Sequence, residues 1–308
     1  MAGVFVLGSL NVDTSYYLQK LPEPGMTVPA GKREKAAGGK GLNQAAAACI
    51  TGAAVSLIGA VGGDDNGRFI LDAVREYPIN TDYLTETEMP TGTAVILVDE
   101  DGANMIAVHG GANRHVPVED VSFREGDWLA TQLETDACTV RSYFEMAKEK
   151  GAYTMLNLSP YEVLDKRILE LTDLLVVNEH EASQFLGVQI RCADQARQAG
   201  RAMSLRGIKN AVITLGSDGA VVLEGGESRH IQGRRVKAVD TQGAGDAFAG
   251  ILAGELALGK TLMESAEYAN NAAAECVKVY GSTLVSLREL ENRKAAESSW
   301  GGRNGGYR

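Results

Sequence analysis

The sequence predicts an α/β protein: a doubly wound, mostly parallel sheet with helices on both faces and a small β-rich lid. Two observations support this fold class. Short apolar runs alternate with helical patterns through most of the 308 residues, which is typical of strand–helix–strand units. One stretch departs from this alternation and has the pattern of a β-hairpin. We therefore expect one large domain over residues 1–292 and a flexible tail over residues 293–308.

The first half of the chain contains two strand–helix pairs followed by the hairpin. The predicted elements are a strand at Val4–Gly8, a helix at Leu42–Thr51, a strand at Ala54–Val61 and a helix at Asn66–Tyr77. In the hairpin, Thr93–Val98 and Met105–His109 flank the acidic turn Asp99–Gly102. The lid is expected to comprise roughly residues 12–35 and 91–112, inserted into the α/β core.

The second half repeats the alternation and ends in long helices. The predicted strands are Asp127–Leu133, Thr154–Leu158, Leu174–Val177, Ala211–Leu215 and Arg235–Val239, and the predicted helices are Val140–Lys150, Asp194–Arg206, Ala244–Leu258 and Leu262–Tyr280. The last residues are rich in Gly, Ser and Asn, a composition typical of linkers. This composition is the basis for the predicted tail.

Composition excludes several classes of function. The net charge is -10 and no block of Lys and Arg occurs, so a nucleic-acid partner is not expected. The four cysteines form no C-x-x-C pair, which argues against a zinc site or a disulfide framework and favours a reducing cytoplasm. No apolar run approaches the roughly 20 residues that span a bilayer, so no membrane association is expected.

The strongest local signal is the glycine-rich turn Asp240–Phe248, Asp-Thr-Gln-Gly-Ala-Gly-Asp-Ala-Phe, which leads from a predicted strand into an apolar helix. Amides at such a turn and at a helix N-terminus bind anions, and glycines let a phosphate approach the main chain. We expect the amides of Gly243, Ala244 and Gly245 to hold the charge on a transferred phosphate, with Asp246 as the catalytic base. The alternative is that Asp246 only stabilises the first helical turn.

Two weaker signals lie near the start of the chain. Ala37–Ala45, Ala-Gly-Gly-Lys-Gly-Leu-Asn-Gln-Ala, is a second glycine-dense turn before a helix, but it lacks the spacing of a Walker A motif. It is either a tight helix start or a site for polyol contacts through backbone and Asn43. Asn11 and Asp13 follow the first strand, where open α/β sheets place ligand groups.

Five motifs in chain order resemble those of the ribokinase (PfkB) family of carbohydrate kinases. They are Gly8–Asp13, Gly38–Ala45, Val177–Glu181, Thr214–Gly219 and Asp240–Asp246. The match extends from about Val4 to Leu290, and ordered motifs are far more specific than any one of them. The resemblance implies an ATP:sugar phosphotransferase with a central α/β domain and a small β lid, which often forms a homodimer through that lid.

The resemblance also implies which residues bind each substrate. Around the sugar it implies Asn11, Asp13, Gly39, Lys40, Asn43, Glu134 and Asp246. Around ATP it implies Thr214, Gly216, Ser217, Gly219, Gly245 and Asn270, together with Asn178 and Glu181, which organise Mg²⁺ and the phosphates through water. For a monovalent cation, expected to be K⁺, it implies Asp240, Gln242, Cys276, Val279, Gly281 and Ser286. Ser286 corresponds to the Ser ligand of the family only with a shift of one residue.

The polar set around the sugar resembles that of ribokinases, which implies D-ribose, phosphorylated at the primary hydroxyl to ribose 5-phosphate. Another PfkB-type kinase, acting on fructose, deoxyribose or a nucleoside, remains an alternative. A catalytically silent sugar-binding protein on the same fold is a second alternative, because folds do not dictate activity. The presence of Asp246 within a glycine-rich anion hole disfavours the silent protein.

Overall fold

A computed structural model describes residues 2–281 and 283–301, with side chains as far as residue 292. Nine strands of these residues form the main sheet: β1 (Gly3–Leu7), β4 (Ala54–Gly62), β5 (Ile79–Thr87), β8 (Trp128–Thr131), β9 (Tyr153–Asn157), β10 (Leu174–Asn178), β11 (Asn210–Thr214), β12 (Gly219–Glu224) and β13 (Glu227–Gln232). Their order is β13-β12-β11-β10-β9-β8-β1-β4-β5. The sheet is parallel from β11 to β5, and β12 and β13 add an antiparallel hairpin at one edge.

The helices cover both faces of this sheet. They are α1 (Lys40–Cys49), α2 (Asp65–Val74), α3 (Ala137–Glu149), α4 (Lys166–Leu171), α5 (Glu179–Leu186), α6 (Ala193–Leu205), α7 (Ala244–Ala257), α8 (Leu262–Cys276) and α9 (Thr283–Gly301). Side chains alternate between the faces along β1: Val4 and Val6 pack with α1 and α7, whereas Phe5 and Leu7 pack with α3. The two resulting cores confirm the predicted doubly wound architecture.

A second sheet of four strands stands apart from the main one. Its strands are β2 (Asn11–Tyr17), β3 (Lys32–Gly38), β6 (Gly92–Val98) and β7 (Asn104–His109), in the order β3-β2-β6-β7. We call it the lid sheet. It contains the predicted hairpin, as β6 and β7, and a second antiparallel pair, β2 and β3.

The carboxyl ends of the parallel strands carry polar residues to one edge of the main sheet. Gln132 follows β8, and Asn157 and Asn178 end β9 and β10. Helix α1 begins at the same edge, because the amide of Leu42 donates to the carbonyl of Ser9, which follows β1. The fold therefore places its polar residues where open α/β sheets bind ligands.

Two predicted elements differ from the structure. Residues 235–239 form no strand: they have no regular secondary structure, and the amide of Val239 bonds to the carbonyl of Val277, just after α8, instead of to a neighbouring strand. The predicted helix Leu262–Tyr280 ends at Cys276, because the following turns close with the short-range bonds of Lys278 and Val279.

The predicted tail over residues 293–308 is described only in part. The backbone as far as Gly301 continues α9, and residues 302–308 lie outside the described residues. The assignment of these residues to a tail therefore stays a prediction.

Candidate active site

A polar cleft lies between the lid sheet and the carboxyl edge of the main sheet. It is lined by Asn11, Asp13, Gly39, Lys40, Asn43, Glu134 and Asp246, which are the residues predicted to face the sugar. The lid sheet adds Ser15, Tyr17, Glu34, Ala94, Ile96, Ile106 and Val108, which sequence reasoning missed. The cleft therefore has a polar floor and a partly apolar roof, as expected for a site that encloses a small polyol.

Asp246 is buried at the floor of this cleft, in the first turn of α7. Its Oδ2 accepts a hydrogen bond of 3.0 Å from the side-chain amide of Asn43, and its Oδ1 accepts one of 3.2 Å from Gln44. The ammonium of Lys40 lies 4.0 Å from Oδ1. Both carboxylate oxygens are thus held by α1, while the side chain still reaches the cleft.

Five acidic residues line this cleft: Asp13, Glu34, Glu134, Asp240 and Asp246. Burial, together with repulsion from Glu134 and Asp246, raises the pKa of Asp13 to about 7. Nearby carboxylates also raise the pKa of Lys40, and in a base this favours the charged form. Asp246 has the largest effect, Glu134 and Glu181 add to it, and burial acts in the other direction. Lys40 therefore stays positively charged among these acids.

Two side chains, an amide and a hydroxyl, hold polar groups of the cleft in place. Asn113 accepts a hydrogen bond from the amide of Leu10 and donates one of 2.7 Å to Oδ1 of Asn11. On the other side, the hydroxyl of Ser9 donates a short hydrogen bond to Glu134. Neither residue was predicted to act in the site: Asn113 lies in no motif, and Ser9 was given no role within the motif Gly8–Asp13.

The lid sheet also contacts the core through a polar cluster at the mouth of the cleft. Tyr17 donates a hydrogen bond of 2.8 Å to Glu34, and Lys32 forms an ion pair of 2.7 Å with the same carboxylate. The ring of Tyr280, from the segment after α8, lies 6.4 Å from that of Tyr17, and the ammonium of Lys32 lies 5.4 Å from its centroid. Burial and the neighbouring Tyr280 and Glu34 raise the pKa of Tyr17. The cluster joins the lid sheet to the segment after α8.

A second, more apolar cleft lies on the other side of the start of α7. It is lined by Thr214, Gly216, Ser217, Gly219, Gly245 and Asn270, all predicted to face ATP. The structure adds residues outside the predicted set, Arg234, Arg235, Val236, Ala238, Thr241, Ala244, Phe248, Ala273, Ala274 and Val277. Apolar walls with a few polar groups suit a purine base.

The segment Asp240–Asp246 forms a wall that the two clefts share. Asp240, Gln242, Gly243 and Asp246 line the polar cleft, whereas Thr241, Ala244 and Gly245 line the apolar one. Gly243 is left-handed, with φ of 69°, and a Cβ there would overlap the hydroxyl of Thr283. A Cβ at Gly245 would meet no atom within 4 Å, so an anion can approach the main chain there.

No side chain within the described residues caps the N-terminus of α7, which leaves its positive end directed at the wall. The amide of Ala244 already donates to the carbonyl of Thr241, at 3.3 Å. The first turn of α7 therefore suits an anion, as expected. The amide of Ala244 would have to share its hydrogen between that anion and the carbonyl of Thr241.

Asn178 and Glu181 do not line either cleft. They form a capping box at the start of α5: the side chain of Asn178 accepts from the amides of His180 and Glu181, and Glu181 accepts from the amide of Asn178. Glu181 is nevertheless near enough to Lys40 to affect its pKa. Their assignment to magnesium and phosphates stays a prediction.

The residues predicted to hold a monovalent cation converge only in part. Asp240 accepts hydrogen bonds from the amides of Gln242 and Gly281, which ties the wall to the segment after α8. The carbonyl of Cys276 accepts from the amide of Val279, and Ser286 is buried in α9. The described residues contain no group of three or more His, Cys, Asp or Glu side chains that could hold a metal ion.

The chain is similar to known proteins over almost its whole length. The pfkB family of carbohydrate kinases matches residues 1–289. A ribokinase of Staphylococcus aureus is 34% identical over 299 residues, covering 94% of this chain and 98% of the relative. A deoxyribokinase of Salmonella typhi is 32% identical over 257 residues, covering 81% and 84%. The structure of Arabidopsis thaliana ribokinase complexed with ribose and ATP superimposes with a TM-score of 0.83 at 29% identity, covering 94% of this chain and 99% of that chain.

Proposed function

Because the chain belongs to the pfkB family of carbohydrate kinases and is an ATP-dependent sugar kinase, we propose that it converts D-ribose and ATP to ribose 5-phosphate and ADP. The observation that carries this proposal is the wall Asp240–Asp246, which has a polar cleft on one side and an apolar cleft on the other. A sugar and a nucleotide in these clefts would meet at the N-terminus of α7.

The reaction needs a base beside the acceptor hydroxyl, and Asp246 suits this role. The primary hydroxyl oxygen of ribose attacks the γ-phosphorus, the bond from that phosphorus to the β–γ bridging oxygen breaks, and the hydroxyl proton moves to Asp246. The amides of the first turn of α7 face the charge on the transferred group. Because Asn43 and Gln44 hold both oxygens of Asp246, the carboxylate needs no reorientation to accept the proton.

The floor of the polar cleft offers matched groups for sugar hydroxyls. The carboxylates of Asp13 and Glu134 accept hydrogen bonds, and Lys40 donates them. Oδ1 of Asn43 is buried and has no hydrogen-bond partner among the described residues, an arrangement that a sugar hydroxyl would satisfy. These contacts support Asn11, Asp13, Gly39, Lys40, Asn43 and Glu134 as the sugar site.

The apolar cleft suits the nucleotide, with Asn270 and the walls around Phe248 near the base and Gly245 near the phosphates. A divalent ion bound with ATP neutralises charge on the phosphates. Mg²⁺ typically takes one or two protein carboxylates and the substrate phosphates. The chain offers Glu181 for this mode, because that carboxylate lies near enough to Lys40 in the polar cleft to affect its pKa.

Three further features belong to the proposal. A monovalent cation, K⁺, would be held by main-chain oxygens of the wall and of the segment Cys276–Gly281. A homodimer would form through the lid sheet, whose Val95 and Met105 are exposed and do not line the cleft. The cytoplasm is the proposed location, in keeping with cysteines that form no motif for a disulfide or zinc. Among the described residues, none of the helices has the length and apolarity needed to cross a membrane.

An Asp246→Asn variant tests the assignment of the base. We expect it to fold, to bind ribose, and to lose about two to four orders of magnitude in kcat, the usual range for a positioned base. The matched control is Asp127→Asn, which also removes a buried carboxylate that binds backbone amides but lies outside both clefts. A kcat of Asp246→Asn within a few fold of the parent, with Asp127→Asn equally active, would refute the assignment.

2-Deoxyribose is the second candidate substrate, because the deoxyribokinase relative covers most of the chain at an identity close to that of the ribokinase. We favour ribose over 2-deoxyribose as the substrate, because the cleft supplies hydrogen-bond acceptors for sugar hydroxyls on several sides. A buried group that is built for a hydroxyl loses its partner when that hydroxyl is missing.

A further inference from the structure

A row of buried side-chain amides connects three strands of the main sheet to Asp246. Gln132, after β8, donates to Oε1 of Gln44 at 2.6 Å. Gln44 in turn donates to Asn157 at 3.1 Å and to Oδ1 of Asp246 at 3.2 Å. Asn157 ends β9 and donates to the carbonyl of Val176 on β10. Gln44 is therefore the junction of the row, and it is fully buried.

The hydrogen-bond pattern of the row allows one orientation of the Gln44 amide. Both ends of the row, the Asp246 carboxylate and the Val176 carbonyl, can only accept. The amide nitrogen of Asn157 must therefore face Val176, which turns its oxygen toward Gln44. Gln44 consequently directs its nitrogen at Asn157 and Asp246 and its oxygen at Gln132. Rotation of the Gln44 amide would place two oxygens against each other at both contacts.

Close packing of α1 on α7 brings Gln44 within reach of Asp246. One turn below Asp246, a Cβ at Gly250 would overlap the backbone carbonyl of Gln44. One turn further, a Cβ at Gly254 would lie 3.0 Å from the carbonyl of Ala48. Residues four apart lie on the same helix face. Glycine on this face of α7 therefore permits the approach that a direct hydrogen bond from Gln44 to Asp246 requires.

We propose that Gln44 is a positioning residue for phosphoryl transfer, through which the main sheet fixes the carboxylate of Asp246. The inference rests on the proposed role of Asp246 as the base. Gln44 does not line the polar cleft, in contrast to its neighbour Asn43, so it acts through Asp246 and not on the sugar. A misplacement of about 1 Å in a reacting group can cost about a hundredfold in rate. Loss of this contact should therefore lower turnover and leave sugar binding unchanged.

A Gln44→Met variant tests this proposal, because methionine retains the length of the side chain and removes all three hydrogen bonds. We expect kcat with ATP and ribose to fall about 10- to 100-fold, while KM for ribose stays within about threefold of the parent. Ala46→Gly is the matched control: it weakens the same helix without touching Asp246, so it should lower the melting temperature and leave kcat unchanged. A Gln44→Met enzyme that is folded and has parental kcat would overturn the proposal, as would a rise in KM that matches the fall in kcat.

A double-mutant cycle separates failure of this inference from failure of the proposed function. If Gln44 acts through Asp246, Gln44→Met should have little further effect on kcat in an Asp246→Asn background. A further 10- to 100-fold loss in that background would overturn the positioning role while leaving the base assignment intact. If Asp246→Asn itself has parental kcat, the assignment of the base fails and this inference fails with it, whereas ribose phosphorylation by the parent enzyme would stand.

Gln132→Met is the second variant and decides the matter if Gln44→Met does not fold. It removes the hydrogen bond from Gln132 to Gln44, which is one bond farther from Asp246. It also removes Oε1 of Gln132, a buried oxygen that has no hydrogen-bond partner among the described residues. Its cost in stability should therefore be small. We expect a fall of about two- to tenfold in kcat at constant KM, and an unchanged kcat would count against the proposal.

Discussion

The carboxylates of Asp13 and Glu134 lie near enough in the polar cleft to repel each other, and with burial this raises the pKa of Asp13 to about 7. A sugar hydroxyl that donates to Asp13 stabilises the ionised form and so lowers its pKa. Sugar binding and ionisation of Asp13 are therefore linked.

The first prediction is that ribose binds more weakly as the pH falls. Below about pH 7 Asp13 must lose a proton to accept the sugar, so the dissociation constant should rise toward about tenfold per pH unit. Titration calorimetry without ATP, from about pH 5.5 to 8.5 in buffers of different ionisation enthalpy, should record the release of up to about one proton near pH 7. A dissociation constant that is independent of pH would contradict this linkage.

The second prediction concerns stability and uses the same residue. The pKa of Asp13 is higher in the folded state than its ordinary value of 3.8, so the folded protein binds more protons between these two values. Its contribution to the free energy of unfolding therefore falls by up to about 4 kcal/mol as the pH rises from about 4 to 7. Asp13→Asn should melt above the parent at pH 8 and near it at about pH 4. An equal fall in melting temperature at both pH values would mean that the Asp13 side chain stabilises the fold independently of its ionisation.

The third prediction is that Tyr280 helps to hold the lid sheet over the sugar. Its ring lies 6.4 Å from that of Tyr17, and the ammonium of Lys32 lies 5.4 Å from its centroid. A cation–π contact at an exposed site contributes about 0.5–1 kcal/mol, so Tyr280→Ala should raise KM for ribose about two- to fivefold. Tyr153→Ala, at an exposed tyrosine far from the cleft, is the control. Parental KM in Tyr280→Ala would show that the cluster has no part in closure.

The fourth prediction is that K⁺ stimulates turnover. A cation beside the wall would brace the turn that Asp240 already ties to Gly281, and thereby the start of α7. Activity should increase when K⁺ is added to a Mg²⁺-containing buffer that is free of monovalent metal ions. Equal rates with and without K⁺ would mean that the proposed cation site is absent or unused.

The fifth prediction concerns the proposed dimer. Strand β7 is exposed along its whole length, and Met105 on it is 54% exposed. Met105→Asp places a charge in the proposed interface without changing a residue that lines the cleft. It should shift sedimentation from dimer to monomer at micromolar concentration, whereas Val163→Asp on an unrelated exposed site should not. A parent that sediments as a monomer with ribose present would remove the dimer.

Much of the fold could be predicted from the sequence because the buried strands carry their own periodic signal. Leu174–Asn178, for example, is apolar on both faces, and Leu175 and Val176 pack into different cores. The exposed strand Glu227–Gln232 gave no such signal, since its pattern Glu-Ser-Arg-His is set by pairing with β12 and not by burial. Val236, by contrast, belongs to an irregular stretch whose local residue pattern does not differ from that of a strand.

The site was predictable where glycine and acid residues lie close in sequence, as at Gly243 and Asp246. It was not predictable where side chains meet only in the folded chain. Gln44 lies 88 residues from Gln132 and 113 residues from Asn157 in the sequence, and no local pattern relates these three residues. The hydrogen bonds that hold Asp246 therefore required the structure.

The most direct test of the account is the steady-state rate with ATP and D-ribose, 2-deoxyribose or fructose at matched concentrations. If the hydroxyls of ribose pair with acceptors of the polar cleft, 2-deoxyribose, which lacks one hydroxyl, leaves a buried acceptor unpaired. We predict the highest kcat/KM for ribose, with ribose 5-phosphate as the product, and a much lower value for 2-deoxyribose. A higher kcat/KM for 2-deoxyribose or fructose would contradict the ribose assignment, and no ATP consumption with any of the three sugars would contradict the assignment of this cleft to a furanose.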